Sequence, residues 1–283
     1  MIIYDYLIER ILTEDVPYGD ITTEAMGISR IKGIMEFRAR FDCVLGGVAE
    51  ACDVLRKAGA EPEVLFPSGS RVKAGTLFMI AAGTAGQLHT GWKVSQNIME
   101  YASGIATRTR EVVDSAKRGN PAVVVACTRK SLPGAKTICM NAVEAGGAVP
   151  HRLGLSETFL LFENHTVFFK SEAEAYAAFE KACAHLPEKK PAVEADSLDA
   201  ALRAARAGAG NIQFDKVKPE TLGEWVKLIK AEYPGIVIAA AGGVNASNAE
   251  EYARTGIDVA VTSSVYWGKP ADIEVVMRPA EQL

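Results

Sequence analysis

Beyond residue 121 the chain settles into one rhythm, and that rhythm limits its fold most. Apolar runs of strand length recur at residues 122–127, 158–162, 192–194, 211–214, 236–240 and 259–261. Helical patterns fill most of the gaps, at 135–145, 171–185, 197–207, 219–232 and 246–255. Apolar strands alternating with helices fold as repeated βα units on a parallel sheet buried on both faces. Six such units without an obvious edge strand predict a closed α/β barrel. A doubly wound dinucleotide fold is disfavoured because no early Gly-x-Gly-x-x-Gly turn is present.

The first half reads as α+β. A short helical period through Tyr6, Leu7, Arg10 and Ile11 ends at the turn-rich residues 16–20. Residues 31–41 alternate as a strand with Met35, Phe37 and Ala39 on one side, a helix follows at 48–58, and short strands lie at 61–66 and 76–81. A long helical stretch, 85–117, is expected to break near Ser103 and Gly104.

Charge and cysteine usage exclude several classes. The net charge of −4 argues against bulk electrostatic binding to nucleic acid. Five scattered cysteines without a Cys-x-x-Cys pair exclude a disulfide scaffold or cysteine zinc site, and the four histidines lack ligand spacing. With no basic leader and no apolar span of about 18 residues, membrane insertion is not expected and a cytoplasmic location is. Residues 105–155 carry eight basic against three acidic side chains, so one region of an acidic protein is positive. Such a patch attracts a small anionic ligand.

The residues after each strand carry the chemistry, since barrel sites gather where those loops converge. Thr128, Arg129 and Lys130 follow the first strand, and Glu163 and Asn164 the second. Glu194 and Asp215 mark the third and fourth, Gly242 and Gly243 the fifth, and Thr262, Ser263 and Ser264 the sixth. A Gly-Gly turn between strand and helix, with nearby hydroxyls, is a phosphate cradle built from backbone N–H groups. Two carboxylates on successive strands suit magnesium or ribose hydroxyls, and they could stabilise positive charge on a ribose carbon. Arg129, Lys130, His151 and Arg152 supply cations for carboxylate or phosphate.

Six segments in order carry a resemblance. They are Gly19–Thr22, Ser103–Thr107, Thr128–Gly134, Gly146–Leu155, Glu163–His165 and Ala240–Val244. Together they resemble the quinolinate phosphoribosyltransferase family over essentially the whole chain, and most closely its branch associated with molybdenum-transport genes. The resemblance implies an N-terminal α/β sandwich, residues 1–108, with residues 267–283 packing back on it. A six-stranded α/β barrel of the type II phosphoribosyltransferase kind then spans residues 109–266.

It also implies a pentosyltransferase of NAD biosynthesis. Such an enzyme moves phosphoribosyl from phosphoribosyl pyrophosphate to quinolinate or a related aromatic heterocycle, with magnesium, and releases pyrophosphate. The site would be shared across a homodimer or higher homo-oligomer. By position Arg129, Lys130, His151 and Arg152 face the acceptor and phosphates. Glu194 and Asp215 serve ribose and metal, with Lys130 beside the reacting centre, while Gly242, Gly243, Thr262 and Ser263 hold phosphate.

This sequence departs from the family pattern at four places. Tyr101 stands where a partner-subunit arginine is expected and Phe162 where a lysine is; Ala241 replaces a serine and Tyr266 a histidine. Losing two cations predicts a less charged, more aromatic floor and an acceptor other than, or besides, quinolinate. Two further readings stand beside this one. One is a non-catalytic sensor of a phosphorylated ligand or oxyanion linked to molybdenum transport. The other is a Schiff-base aldolase built on Lys130.

Overall fold

The computed structural model describes residues 5–280; residues 1–4 and 281–283, at the outer ends of the expected N-terminal sandwich and its returning tail, lie outside them. The first elements are α1 (Asp5–Asp15), α2 (Ile21–Ala25), β1 (Lys32–Ala39), β2 (Cys43–Val44), α3 (Val48–Lys57), β3 (Glu61–Val64), β4 (Arg71–Val72), β5 (Leu77–Thr84) and α4 (Ala85–Gly119). Next come β6 (Val124–Cys127), α5 (Lys136–Ala145), β7 (Val149–Pro150), β8 (Leu160–Leu161), α6 (Glu163–Thr166), α7 (Glu172–His185), β9 (Ala192–Ala195) and α8 (Leu198–Arg206). The chain closes with β10 (Asn211–Asp215), α9 (Pro219–Glu232), β11 (Val237–Ala241), α10 (Ala249–Arg254), β12 (Val259–Thr262) and β13 (Ile273–Pro279).

Two compact units result. One takes the residues up to Arg110, Ser131–Gly147 and those from Tyr266; the other takes Glu111–Lys130 and Ala148–Val265. In the first, an antiparallel sheet runs β13-β1-β5-β3, with β13 laddered on β1 from Ile273 opposite Ala39 to Pro279 opposite Gly33. Alternation along β1 buries Met35, Phe37 and Ala39. They join one core with Val48, Ala51, Cys52 and Leu55, the helical-period face of α3.

Asp20 caps α2 by accepting from the Thr22 and Thr23 backbone N–H groups at 3.0 and 3.3 Å, which gives the Gly19–Thr22 segment a structural role. Residues 131–147, read from sequence as barrel, group with this unit: Asn141 on α5 donates to Glu50 at 2.7 Å.

The expected break in the long helix does not occur. Ser103 is fully buried and accepts from the Gly46 N–H at 2.9 Å, which gives the hydroxyl a tertiary partner within a continuous helix. A side chain at Gly104 would lie 2.9 Å from the Lys269 carbonyl, so this glycine permits close packing and does not end the helix.

The second unit holds a parallel sheet in the order β7-β6-β12-β11-β10-β9-β8. All six strands read from the sequence are in it. β7 is a seventh, short strand, and among the described residues no ladder joins it to β8. Pro150 supplies no N–H, so half of this two-residue edge cannot donate. Inward positions on β11 and β12 are small: Ala239, Ala241 and Val261 form a cluster with Val259. Small side chains there leave space at the carboxyl end of the strands. Among the described residues no helix is long and apolar enough to cross a membrane, and all five cysteines are free thiols.

Candidate active site

At that carboxyl end lies a cavity of about 750 Å³ lined by the second unit. It brings together Arg129, Lys130, His151, Arg152, Phe162, Glu194, Asp215, Gly242, Gly243 and Ser263. Tyr101 belongs to α4 in the first unit and is 37% exposed.

Strand register places the acids. Gln213 on β10 pairs with Glu194 on β9, and Asp215 follows Gln213 by two residues, so all three side chains point into the cavity. Gln213 Nε2 donates to Glu194 Oε2 at 3.2 Å. Burial, then the charge of Asp215, pushes the Glu194 carboxyl above its ordinary value, and the Gln213 bond works against that rise. Asp215 pairs with the exposed Lys216 at 3.4 Å, a contact of small energetic weight.

Lys216 is the one non-glycine residue among those described with positive φ, at 59°. Its N–H donates to the Ala241 carbonyl at 2.8 Å, which fixes this left-handed residue directly after Asp215.

The cations face the acids. Arg152 is only 9% exposed, and among the described residues it has no carboxylate partner. Burial and then Arg129 push its guanidinium downward from the ordinary value, though an arginine stays charged. An arginine that lines the cavity beside a second arginine, with no carboxylate partner among the described residues, suits an anion. Burial and then Arg152 also push His151 down from the ordinary histidine range, with the Gln213 side chain and Glu157 working against that fall. Lys130 is exposed, without the apolar surroundings a Schiff-base lysine needs.

The phosphate loop differs from its sequence reading in two respects. Thr262 is buried and donates to the Val244 carbonyl at 2.6 Å, so its hydroxyl braces the loop; Ser263 and Ser264 line the cavity instead. The helix after the glycines is α10, only six residues long, and Asn248 Oδ1 already accepts the Asn245 N–H at 2.8 Å. The Gly242–Gly243 backbone and the two serines are therefore the donors left facing the cavity.

Gln213 is a cavity-lining residue that the sequence alone does not single out. It is 8% exposed, and its Oε1 is buried without a hydrogen-bond partner among the described residues. Gln213→Leu removes the donor that favours ionised Glu194. Turnover is expected to fall roughly tenfold, with KM within about twofold, as steady-state kinetics would show.

Comparison with known proteins shows the family of the chain. Residues 20–103 match the family model for the quinolinate phosphoribosyl transferase N-terminal domain, and residues 105–276 that for its C-terminal domain. The chain belongs to the quinolinate phosphoribosyltransferase family. It is 37% identical to ModD of Pasteurella multocida, covering 96% of this chain and 97% of that one. Identity to ModD of Rhodobacter capsulatus is 40%, over 90% of this chain and 98% of that protein. The crystal structure of NadC from Streptococcus pyogenes superposes with a TM-score of 0.89 at 26% identity, covering 97% and 96% of the two chains. As a member of the quinolinate phosphoribosyltransferase family, the protein is a ModD-like phosphoribosyltransferase acting on a small molecule. A non-catalytic sensor is not favoured.

Proposed function

We propose that the acceptor is a carboxylated aromatic heterocycle, quinolinate or a relative, bound between the arginine pair and the two acids. The unpaired, buried Arg152 beside Arg129 carries this reading. Gly242, Gly243, Ser263 and Ser264 hold the 5′-phosphate, and Glu194 and Asp215 orient the ribose. The acceptor's ring nitrogen donates its electron pair to C1 of the ribose as the C1–O bond breaks and pyrophosphate departs with that pair. Glu194 and Asp215 stabilise the positive charge that develops on the sugar, so the rate comes from positioning and electrostatics, with no covalent enzyme intermediate. With quinolinate, the carboxylate next to the ring nitrogen then leaves as carbon dioxide; the electron pair of the broken C–C bond stays on that ring carbon, beside the now cationic nitrogen, and takes up a proton from water.

Magnesium fits the donor set. Among the described residues no cluster of three or more His, Cys, Asp or Glu could hold a metal alone. Two carboxylates sharing an ion with substrate phosphates is the arrangement magnesium favours. When bound, it neutralises charge on the departing pyrophosphate.

We also assign a homodimer, supported by the family resemblance and by exposed apolar side chains such as Trp267 at 69%. Sedimentation at micromolar concentration is expected to give a dimer or larger, and a monomer would contradict it. The acceptor reading is tested by pyrophosphate release from phosphoribosyl pyrophosphate and magnesium across quinolinate, nicotinate and other heteroaromatic carboxylates. Release with at least one carboxylate and none with its carboxamide is expected; equal release with both removes the arginine pair from recognition.

A further inference from the structure

A second cavity, of about 720 Å³, opens against the first. The two share Arg129, Arg152, Leu160 and Phe162, so the arginines stand on the wall between them. Chemically they differ. The first is bordered by Glu194 and Asp215, whereas the second is walled by Phe159 and Phe179, whose ring centroids lie 5.2 Å apart, with Phe169 beyond. Glu157 at its edge is engaged by the Leu153 N–H. A carboxylate seated on Arg152 therefore has anionic groups on one side and an aromatic chamber on the other. A single six-membered ring in the first cavity leaves that chamber to water.

We propose, building on the phosphoribosyl-transfer reading, that this chamber selects the acceptor. The physiological substrate is a heteroaromatic carboxylate whose apolar ring system extends past one ring, its carboxylate on Arg152 and its outer ring among Phe159, Phe169 and Phe179. Phe162, on the shared wall, packs edge-on against His165 at 4.3 Å and gives the substrate an aromatic face to slide along.

Calorimetry on the full chain, with and without phosphoribosyl pyrophosphate and magnesium, tests this with quinoline-2-carboxylate and pyridine-2-carboxylate. The two-ring ligand is expected to bind at least about tenfold more tightly, the gain from burying a fused ring. Ala178→Phe and Ala182→Leu, which fill the chamber from α7, are expected to abolish that advantage. In the wild-type chain, an aminomethyl group in place of the second ring is expected to abolish it too, a control that needs no variant to fold. Equal binding of the two acids, or an advantage that survives every one of these changes, overturns the inference. Binding requires no turnover, so the two levels separate. Pyrophosphate release without a two-ring preference sinks the chamber alone, and two-ring binding without release from any acceptor sinks the transfer reading alone.

Discussion

Glu194→Gln is expected to lower turnover by roughly two to three orders of magnitude while leaving the dissociation constant for phosphoribosyl pyrophosphate within a few-fold. The amide keeps the shape of the carboxylate but brings no charge to the ribose carbon in the transition state. Stability should move the other way. Burial and Asp215 raise the Glu194 carboxyl in the folded protein, so ionising it there costs more than in the unfolded chain. That penalty is present in full above the folded pKa and vanishes as pH falls below the unfolded one. In the metal-free protein the variant is expected to melt above wild type at neutral pH, with the gap closing on acidification. Thermal melts across pH, beside single-turnover kinetics, check both halves. Unchanged turnover would remove Glu194 from the reaction.

Gly242→Ala should be the most damaging substitution in the phosphate loop. Gly242 has φ of 81°, and a Cβ there would sit 2.5 Å from Asp215 Oδ1 and 2.7 Å from the Lys216 backbone nitrogen. The backbone clash cannot be relieved by a rotamer change, and it displaces both the cradle and the neighbouring acid. A stability loss of at least about 2 kcal/mol is expected, with phosphoribosyl pyrophosphate affinity down about a hundredfold, measured by denaturation and calorimetry. Gly243 supplies the control. Its φ is 100°, but nothing lies within 4 Å of its Cβ position, so Gly243→Ala should cost only backbone strain of about 1 kcal/mol. Equal effects at both positions would mean that the close approach at Gly242 does not matter.

Much of this architecture is legible in the chain because buried parallel strands are nearly all apolar. Runs such as residues 236–240 stand out against helices rich in Ala, Glu and Lys, and the polar residues ending them fall where the site forms. Short elements escape this logic. β7 has two residues, with Val149 45% exposed and Pro150 lacking an N–H, so no pattern announces it. Gly104 looked like a helix breaker because sequence shows a glycine's flexibility and not the backbone packed against it. In the sequence Thr262, Ser263 and Ser264 are equivalent hydroxyls. Only the fold shows that Thr262 spends its proton on the Val244 carbonyl while Ser263 and Ser264 face the cavity. Gln213 was hidden as one polar residue inside an apolar strand. The signal was its spacing: two residues before Asp215 on a strand means the same face. The aromatic chamber draws Phe159, Phe169 and Phe179 from three segments, a convergence that no single stretch of sequence displays.

Phosphoribosyl transfer itself is tested most directly by mass analysis of the acceptor. The full chain is incubated with phosphoribosyl pyrophosphate, magnesium and a mixture of one- and two-ring heteroaromatic carboxylates. The expected result is one acceptor carrying a ribose 5-phosphate on its ring nitrogen, formed in step with pyrophosphate and lost in Glu194→Gln. Pyrophosphate without a ribosylated product, or a product that forms equally well in Glu194→Gln, would contradict the account.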